Sequence, residues 1–178
     1  MICCVDVDYQ ATGVTTACVG FGAWTDEVAT IELVVRSAGA APAYEPGAFY
    51  RRELPYVLGA LERMPALDVI VVDAYVWLAP DEPGLGWHLH DARGIAVIGV
   101  AKTRYAGAAA ASRHRAAGPL SGIGAESIEV VRGDSARPLF VTAVGIDAGV
   151  AADHIRAMHG EFRIPTLIRC ADGLARGR

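Results

Sequence analysis

An aspartate stands inside the first apolar run of this chain, and that placement limits the folds open to it. The run is Ile2-Cys3-Cys4-Val5-Asp6-Val7, which reads as a buried strand broken only by the acid. A charged carboxylate in such a place is costly unless it meets a cation or a strong donor. A second apolar run, Val69-Ile70-Val71-Val72, is bracketed by Asp68 and Asp73. Short apolar runs of this kind suit the central strands of a parallel sheet covered on both faces. If these two strands are neighbours, Asp6 and Asp73 converge at one edge of the sheet. Asp8 shares the face of Asp6, so the two-residue period alone leaves the choice between them open.

The rest of the chain supplies the partners such a sheet requires. Residues 13–24 and 27–36 are rich in β-branched and small residues, and predict an antiparallel meander with the first strand. Gly39 to Gly47 reads as a loop. Leu54, Val57, Leu58 and Leu61 recur at helical spacing, with Pro55 expected in a first turn. A Pro/Gly-rich loop is expected over Ala79 to Gly86, then a helix near Trp87 to Arg93 and a strand over Ile95 to Val100. Residues 106–125, with the glycine-rich Gly118 to Gly124, read as irregular. A hairpin is expected from residues 126–132 and 137–143 around Gly133-Asp134. Asp147 to His159 has the pattern of a closing amphipathic helix, with Ala151, Ile155 and Met158 on one side. This order of elements is the ribonuclease H-like arrangement: an α/β fold whose mixed sheet starts with three antiparallel strands and is flanked by helices. The 178 residues suit one such domain.

Charge and cysteine content narrow the function classes. Sixteen basic residues stand against twenty acidic ones, a net charge of −4. That argues against nucleic-acid binding by bulk electrostatics, but not against a nuclease whose metal ions supply local positive charge. Arg51, Arg52, Lys102, Arg104, Arg113 and Arg115 fall in three short clusters that could line a groove. Cys3, Cys4, Cys18 and Cys170 lack the spacing of a zinc site, and Cys3 and Cys4 should face opposite sides of a strand, so buried free thiols are expected. No apolar run is long enough to span a bilayer, and the first residues lack the basic and apolar parts of a signal peptide. A cytoplasmic protein is expected.

Three carboxylates stand out as candidate ligands: Asp6, Asp73 and Glu53, the last expected to open a helix just after a Pro-Gly loop. An all-oxygen set of this kind suits Mg²⁺, or Mn²⁺, rather than zinc. Such an ion can activate water and stabilise a leaving oxygen in phosphodiester hydrolysis. Lys102, at the exit of the strand ending at Val100, can neutralise charge on a phosphate. The plainer alternative is that each acid caps an element or sits at a solvated strand end.

These residues resemble the motifs of the endonuclease V family. Val5-Asp6-Val7-Asp8-Tyr9 is similar to its opening strand, whose first acid binds metal. Tyr44-Glu-Pro-Gly47 followed by Phe49-Tyr50-Arg51-Arg52-Glu53-Leu54-Pro55 resembles its wedge loop and second catalytic acid, with nine positions from Tyr44 to Glu53. Val72-Asp73 matches the third acid, and Ile98-Gly-Val-Ala-Lys102 the lysine motif. Ile164-Pro165 through Arg169-Cys-Ala-Asp172 resembles the closing motif. The resemblance implies a Mg²⁺-dependent nuclease that hydrolyses the second phosphodiester bond 3′ to hypoxanthine, in DNA or RNA containing deaminated bases. It implies metal ligands at Asp6, Glu53 and Asp73, with Lys102 and Asp172 completing the catalytic set. By the same resemblance Tyr44 and Pro46 wedge into the base stack, and Gly47, Ala74 and Tyr105 help line the base pocket. Gly84, Gly86 and His88 keep the continuation of a motif on the nucleic-acid side.

Two departures stand beside this. Ala74 replaces a glycine that usually follows the third acid, and Ala79-Pro80-Asp81 stands where the family has His-Pro-Arg. An added methyl narrows a pocket that needs close backbone approach, and Asp81 brings charge of the wrong sign for a phosphate. A nucleic-acid-binding protein impaired in cutting, and a metal-dependent hydrolase of small phosphoesters, are therefore the competing expectations.

Overall fold

A computed structural model describes residues 1–39, 49–79, 82–105 and 127–178. The chain opens with β1 (Ile2–Gln10), β2 (Gly13–Phe21) and β3 (Ile31–Ala38), paired antiparallel in sequence order. After α1 (Phe49–Leu61), β4 (Val69–Val72) returns to lie parallel to β1. β5 (Trp77–Ala79) and β6 (Glu82–Pro83) form a small separate pair. α2 (Leu85–Arg93) then leads to β7 (Ala96–Ala101), parallel to β4. β8 (Ile128–Val130) and β9 (Leu139–Val144) form an antiparallel pair whose β9 lies against β7. Two helices close the fold, α3 (Ala148–Ala157) and α4 (Thr166–Ala175). The main sheet has the order β3-β2-β1-β4-β7-β9-β8. It matches the expected ribonuclease H-like plan, with β1 and β4 adjacent at its centre.

Alternation along the strands sorts the core into two layers. Cys4, Val71, Ile98, Val100 and Val141 face α3 and α4, packing with Ala151, Ile155, Leu167, Ile168 and Ala171. Cys3, Val5, Ile70, Val72 and Val97 face the other way, with Val57 and Leu61 of α1 and Leu89 of α2. Cys3 and Cys4 thus lie on opposite faces, and all four cysteines are free thiols; Cys3, Cys4 and Cys18 are buried as expected, while Cys170 is only partly buried. Asp147 caps α3, its carboxylate accepting the Val150 N–H at 3.0 Å.

Three expectations need correction. Pro55 lies in the interior of α1 rather than in a first turn. The stretch expected as loop over Ala79 to Gly86 instead contributes Ala79 and Glu82–Pro83 to the β5–β6 pair, with Trp77 and Ala79 buried. The closing helix is not α3. α4 follows it, its Leu167, Ile168, Ala171 and Ala175 forming a buried stripe at helical spacing.

Gly99 of β7 shows how tightly the sheet is packed beside Asp73. A Cβ there would stand 2.4 Å from the Ala74 carbonyl oxygen and 2.8 Å from both the Thr142 hydroxyl and the Val76 nitrogen. The buried Thr142 hydroxyl accepts the Val76 N–H at 2.9 Å, which fixes the chain as it leaves β4. No helix among the described residues is long and apolar enough to cross a membrane.

Candidate active site

The two-residue period that sorts the core also aims the acids. Asp6 follows Cys4 on the face of β1 toward α4, Asp73 follows Val71 on β4, and Lys102 follows Val100 beyond β7. β1 and β4 run parallel with Val5 opposite Val72, so Asp6 and Asp73 come next, side by side. α4 lies over this end of β1 and β2, and its half-buried Asp172 is carried one residue past the buried Ala171. Glu53, expected to open a helix, instead lies in the second turn of α1, which starts at Phe49, and approaches from the other layer. Asp8, the alternative to Asp6, takes a different partner: Gln10 Nε2 donates to it at 3.2 Å.

Lys102 ties the cluster together. Its ammonium forms an ion pair with Asp73 and lies 3.8 Å from Asp172 Oδ1. Arg176, one turn further along α4, holds the same Asp172 oxygen at 3.0 Å. Burial works against the Lys102 charge, but the hydrogen bond and charge of Asp73, with Asp172 and Asp6 behind it, hold the ammonium above the ordinary lysine range.

Asp6 and Glu53 are held far from their ordinary states. Burial, then the charges of Asp73 and Asp172, pushes Asp6 up to about 6. Burial, then the charge of Asp6, pushes Glu53 up to about 8. Two half-buried carboxylates that resist ionisation, beside a third, form a site whose repulsion a cation would relieve. The donor set is all oxygen, which fits a hard divalent ion. Among the described residues, however, no three carboxylate, His or Cys side chains stand close enough to share one ion as they are now oriented. The acids lie within electrostatic reach of one another rather than at ligand distance, and Lys102 holds Asp73. The chemistry of the donors fits a divalent ion, and closure around it requires the side chains to turn.

Tyr9 of β1 belongs to this site and carries no role in the sequence reading. Its hydroxyl is buried and faces Glu53, near enough for each to affect the other's ionisation, yet it forms no hydrogen bond of good geometry. The Arg52 guanidinium lies 3.8 Å from the centre of the Tyr9 ring. The clue was present, since Tyr9 closes the strand that carries Asp6.

Of the residues expected on the nucleic-acid side, Ala74 and Tyr105 are drawn together by Tyr75. The Tyr75 hydroxyl donates to the Thr103 carbonyl at 2.8 Å and accepts the Tyr105 N–H at 3.1 Å. His88 sits on α2 with its ring stacked on Tyr50 of α1, 3.6 Å between centroids, and burial lowers its pKa. Tyr44, Pro46 and Gly47 lie outside the described residues, as do Pro80, Asp81, Arg113, Arg115 and the glycine-rich stretch from Gly118 to Gly124. Of the basic clusters, Lys102 pairs with Asp73, Arg104 pairs with Glu129 and Arg52 packs on Tyr9, while Arg113 and Arg115 of the expected groove lie outside the described residues.

Known proteins are similar to this chain in sequence and in fold. The model of a family described as endonuclease V matches residues 1–173. An endonuclease V from Streptomyces avermitilis is 33% identical over 159 residues, covering 84% of this chain and 69% of that protein. A crystal structure of an endonuclease V from the same organism superposes with a TM-score of 0.77 at 29% identity, covering 99% of this chain and 79% of the other. An endonuclease V from Ciona intestinalis, solved in complex with a 23mer DNA containing an inosine followed by a ribo-adenosine, shares the fold. Its TM-score is 0.78 at 17% identity, covering 99% of this chain and 83% of that one.

Proposed function

The chain belongs to the endonuclease V family, and from that premise we propose that it is a Mg²⁺-dependent endonuclease, with Mn²⁺ able to substitute. Its substrate is DNA or RNA carrying a deaminated purine, and it hydrolyses a phosphodiester bond on the 3′ side of that base. What supports this reading is that Asp6, Glu53, Asp73, Lys102 and Asp172 lie within electrostatic reach of one another at one end of the central strands. Inosine-containing DNA is bound by the Ciona intestinalis relative, which supports hypoxanthine as the base.

Asp6, Glu53 and Asp73 would hold the ion, which supplies Lewis acidity toward the phosphate and lowers the pKa of water. The remaining steps fall to the chain's own groups. Ionised Glu53 and Asp6 bring negative charge to the ion, and each gives up the proton that burial otherwise favours. Lys102 offers its ammonium to a non-bridging phosphate oxygen, trading part of its pairing with Asp73 for one with substrate. Asp172, anchored by Arg176, stands beside Lys102 as an acceptor for the proton of the attacking water. By the family resemblance, Tyr44 and Pro46 would wedge into the base stack, and Gly47, Ala74 and Tyr105 would help line the pocket for the displaced base.

Incubation of the purified protein with Mg²⁺ and an oligonucleotide bearing a single inosine tests this. A nick on the 3′ side, leaving 3′-hydroxyl and 5′-phosphate ends and lost in Asp73→Ala, is expected. Absence of any nick with the native chain, or full activity in Asp73→Ala, overturns it. One observation favours a second reading, a protein that binds inosine but cuts poorly. Ala79, which replaces the His of the His-Pro-Arg element, is buried in β5 and offers nothing to a phosphate. That reading predicts inosine-dependent binding by fluorescence anisotropy without metal-dependent product.

A further inference from the structure

Lys102 leaves β7 into a stretch without a strand partner, and side chains from two other elements take hold of its backbone instead. Arg163, in the loop before α4, donates from Nη2 to the Lys102 carbonyl and, at 2.7 Å, to the Pro138 carbonyl. Tyr75, two residues beyond Asp73, takes the next positions through Thr103 and Tyr105, at 2.8 and 3.1 Å. Three backbone groups in the four residues from Lys102 to Tyr105 are therefore bound by side chains.

The loop that presents Arg163 is itself fixed. The buried Arg132 donates to the carbonyls of Arg156, Met158, Gly160 and Phe162, gathering the chain between α3 and α4 around one guanidinium. The same loop runs directly into α4, which carries Asp172. A single loop thus sets both the backbone of Lys102 and the helix bearing the acid 3.8 Å from its ammonium. A lysine stem has wide rotamer freedom, so fixing the backbone at its root limits where the charge can go.

We propose that Arg163 and Tyr75 are positioning residues, a two-sided clamp on the Lys102–Tyr105 backbone that keeps the Lys102 ammonium between Asp73 and Asp172. The inference rests on the reading of Lys102 as the phosphate-facing group. Arg163 acts through the backbone and does not touch the reacting atoms. Its Nε is buried without a hydrogen bond, so the guanidinium serves these two carbonyls at some cost to itself.

Lys102 is the chain's only lysine, so protein labelled with ¹⁵N-lysine gives a single side-chain ammonium signal. In the native chain that signal should exchange slowly with solvent. Arg163→Met and Tyr75→Phe should each speed its exchange roughly tenfold, as a locally opened segment would. In cleavage of the inosine oligonucleotide, each variant should lower kcat by roughly 10- to 100-fold with KM within about twofold, the mark of a misplaced group rather than a lost contact. Arg163→Lys, which still reaches a carbonyl, should recover part of the lost kcat. The clamp is overturned if exchange and kcat are unchanged in both variants, or if KM alone rises. Should Arg163→Met fail to fold, Tyr75→Phe decides, since it removes one hydroxyl and keeps the ring. Should the native chain cut nothing, the ammonium signal still tests the clamp, and only the nuclease reading falls.

Discussion

Asp6, inside β1, and Asp73, just past the end of β4, stand at the same step, one residue beyond Val5–Val72, the last pair of the parallel ladder. Neither carboxylate can escape the other, because each backbone is fixed by its strand and the strands are covered on both faces. Asp73 has the Lys102 ammonium, whereas burial and the charge of Asp73 leave Asp6 pushed up to about 6. The two acids therefore behave differently when removed.

Asp6→Asn should raise the melting temperature of the metal-free protein, since it deletes a half-buried acid and its repulsion from Asp73. It should also abolish the stabilisation given by Mn²⁺ and cut nicking by roughly 100-fold or more. Asp73→Asn should lower the metal-free melting temperature instead, because it leaves the partly buried Lys102 short of its counter-ion. Thermal melts with and without Mn²⁺ read both effects. Equal shifts of the same sign in the two variants would sink the distinction.

The pH dependence of stability follows from Glu53 and Asp6. Glu53 rises from an ordinary 4.5 to about 8 in the folded protein. Below 4.5 both states hold the proton and the group contributes nothing. Between 4.5 and about 8 the unfolded chain ionises first, so stability falls as pH rises, and the loss is complete above about 8. Asp6 acts with the same sign, but over 3.8 to about 6. Metal-free melts should therefore decline from about pH 4 to about pH 8, and Glu53→Gln should flatten the part between about pH 6 and 8 and leave below it only the shallower fall due to Asp6. Saturating Mg²⁺ should oppose the slope, because an ion that binds carboxylates stabilises their ionised form. A metal-free protein equally stable at pH 5 and pH 8 would contradict the assignment.

Gly99 should tolerate nothing larger. Its added Cβ would meet the Ala74 carbonyl at 2.4 Å, and backbone on that side cannot move without breaking the Val76–Thr142 bond. Gly99→Ala should cost roughly 1–3 kcal/mol by overpacking, read from urea unfolding. Thr142→Val, which leaves the buried Val76 N–H unpaired, should cost roughly 1–3 kcal/mol as well. Because both act on the chain just after Asp73, the double variant should lose less than the sum.

What was legible in the chain follows from which interactions are local. Acids set against apolar strands told where Asp6 and Asp73 lie, because strand alternation is a short-range property and both strands are buried. Helical spacing found α1 and α3, and the Gly133 turn found the β8–β9 pair. α4 escaped because its ten residues mix Arg, Asp and Gly with a narrow apolar stripe, so its helical character depends on packing against β1 and β2. Pro55 misled because proline is best tolerated in a first turn, whereas here α1 already runs six residues before it. Tyr9, Tyr75 and Arg163 could not be assigned roles at all. Each acts on a group distant in sequence, Tyr75 on Thr103 and Arg163 on Lys102, and no spacing rule records such a meeting.

Arg132 carries the last prediction. It is 8% exposed, and four carbonyls around it, from Arg156 to Phe162, depend on one guanidinium. Arg132→Met would keep much of the stem's packing but leave those carbonyls without their donor, at a cost of roughly 2–4 kcal/mol. Arg132→Lys should recover only a part, since an ammonium is a point donor that cannot reach carbonyls spread around a planar fork. The damage should be regional as well as global. Limited proteolysis should cut first between residues 158 and 165, because that loop loses its centre while the sheet keeps its ladders. A variant that unfolds cooperatively with no early cut in the loop would mean that Arg132 supports the core as a whole rather than the loop.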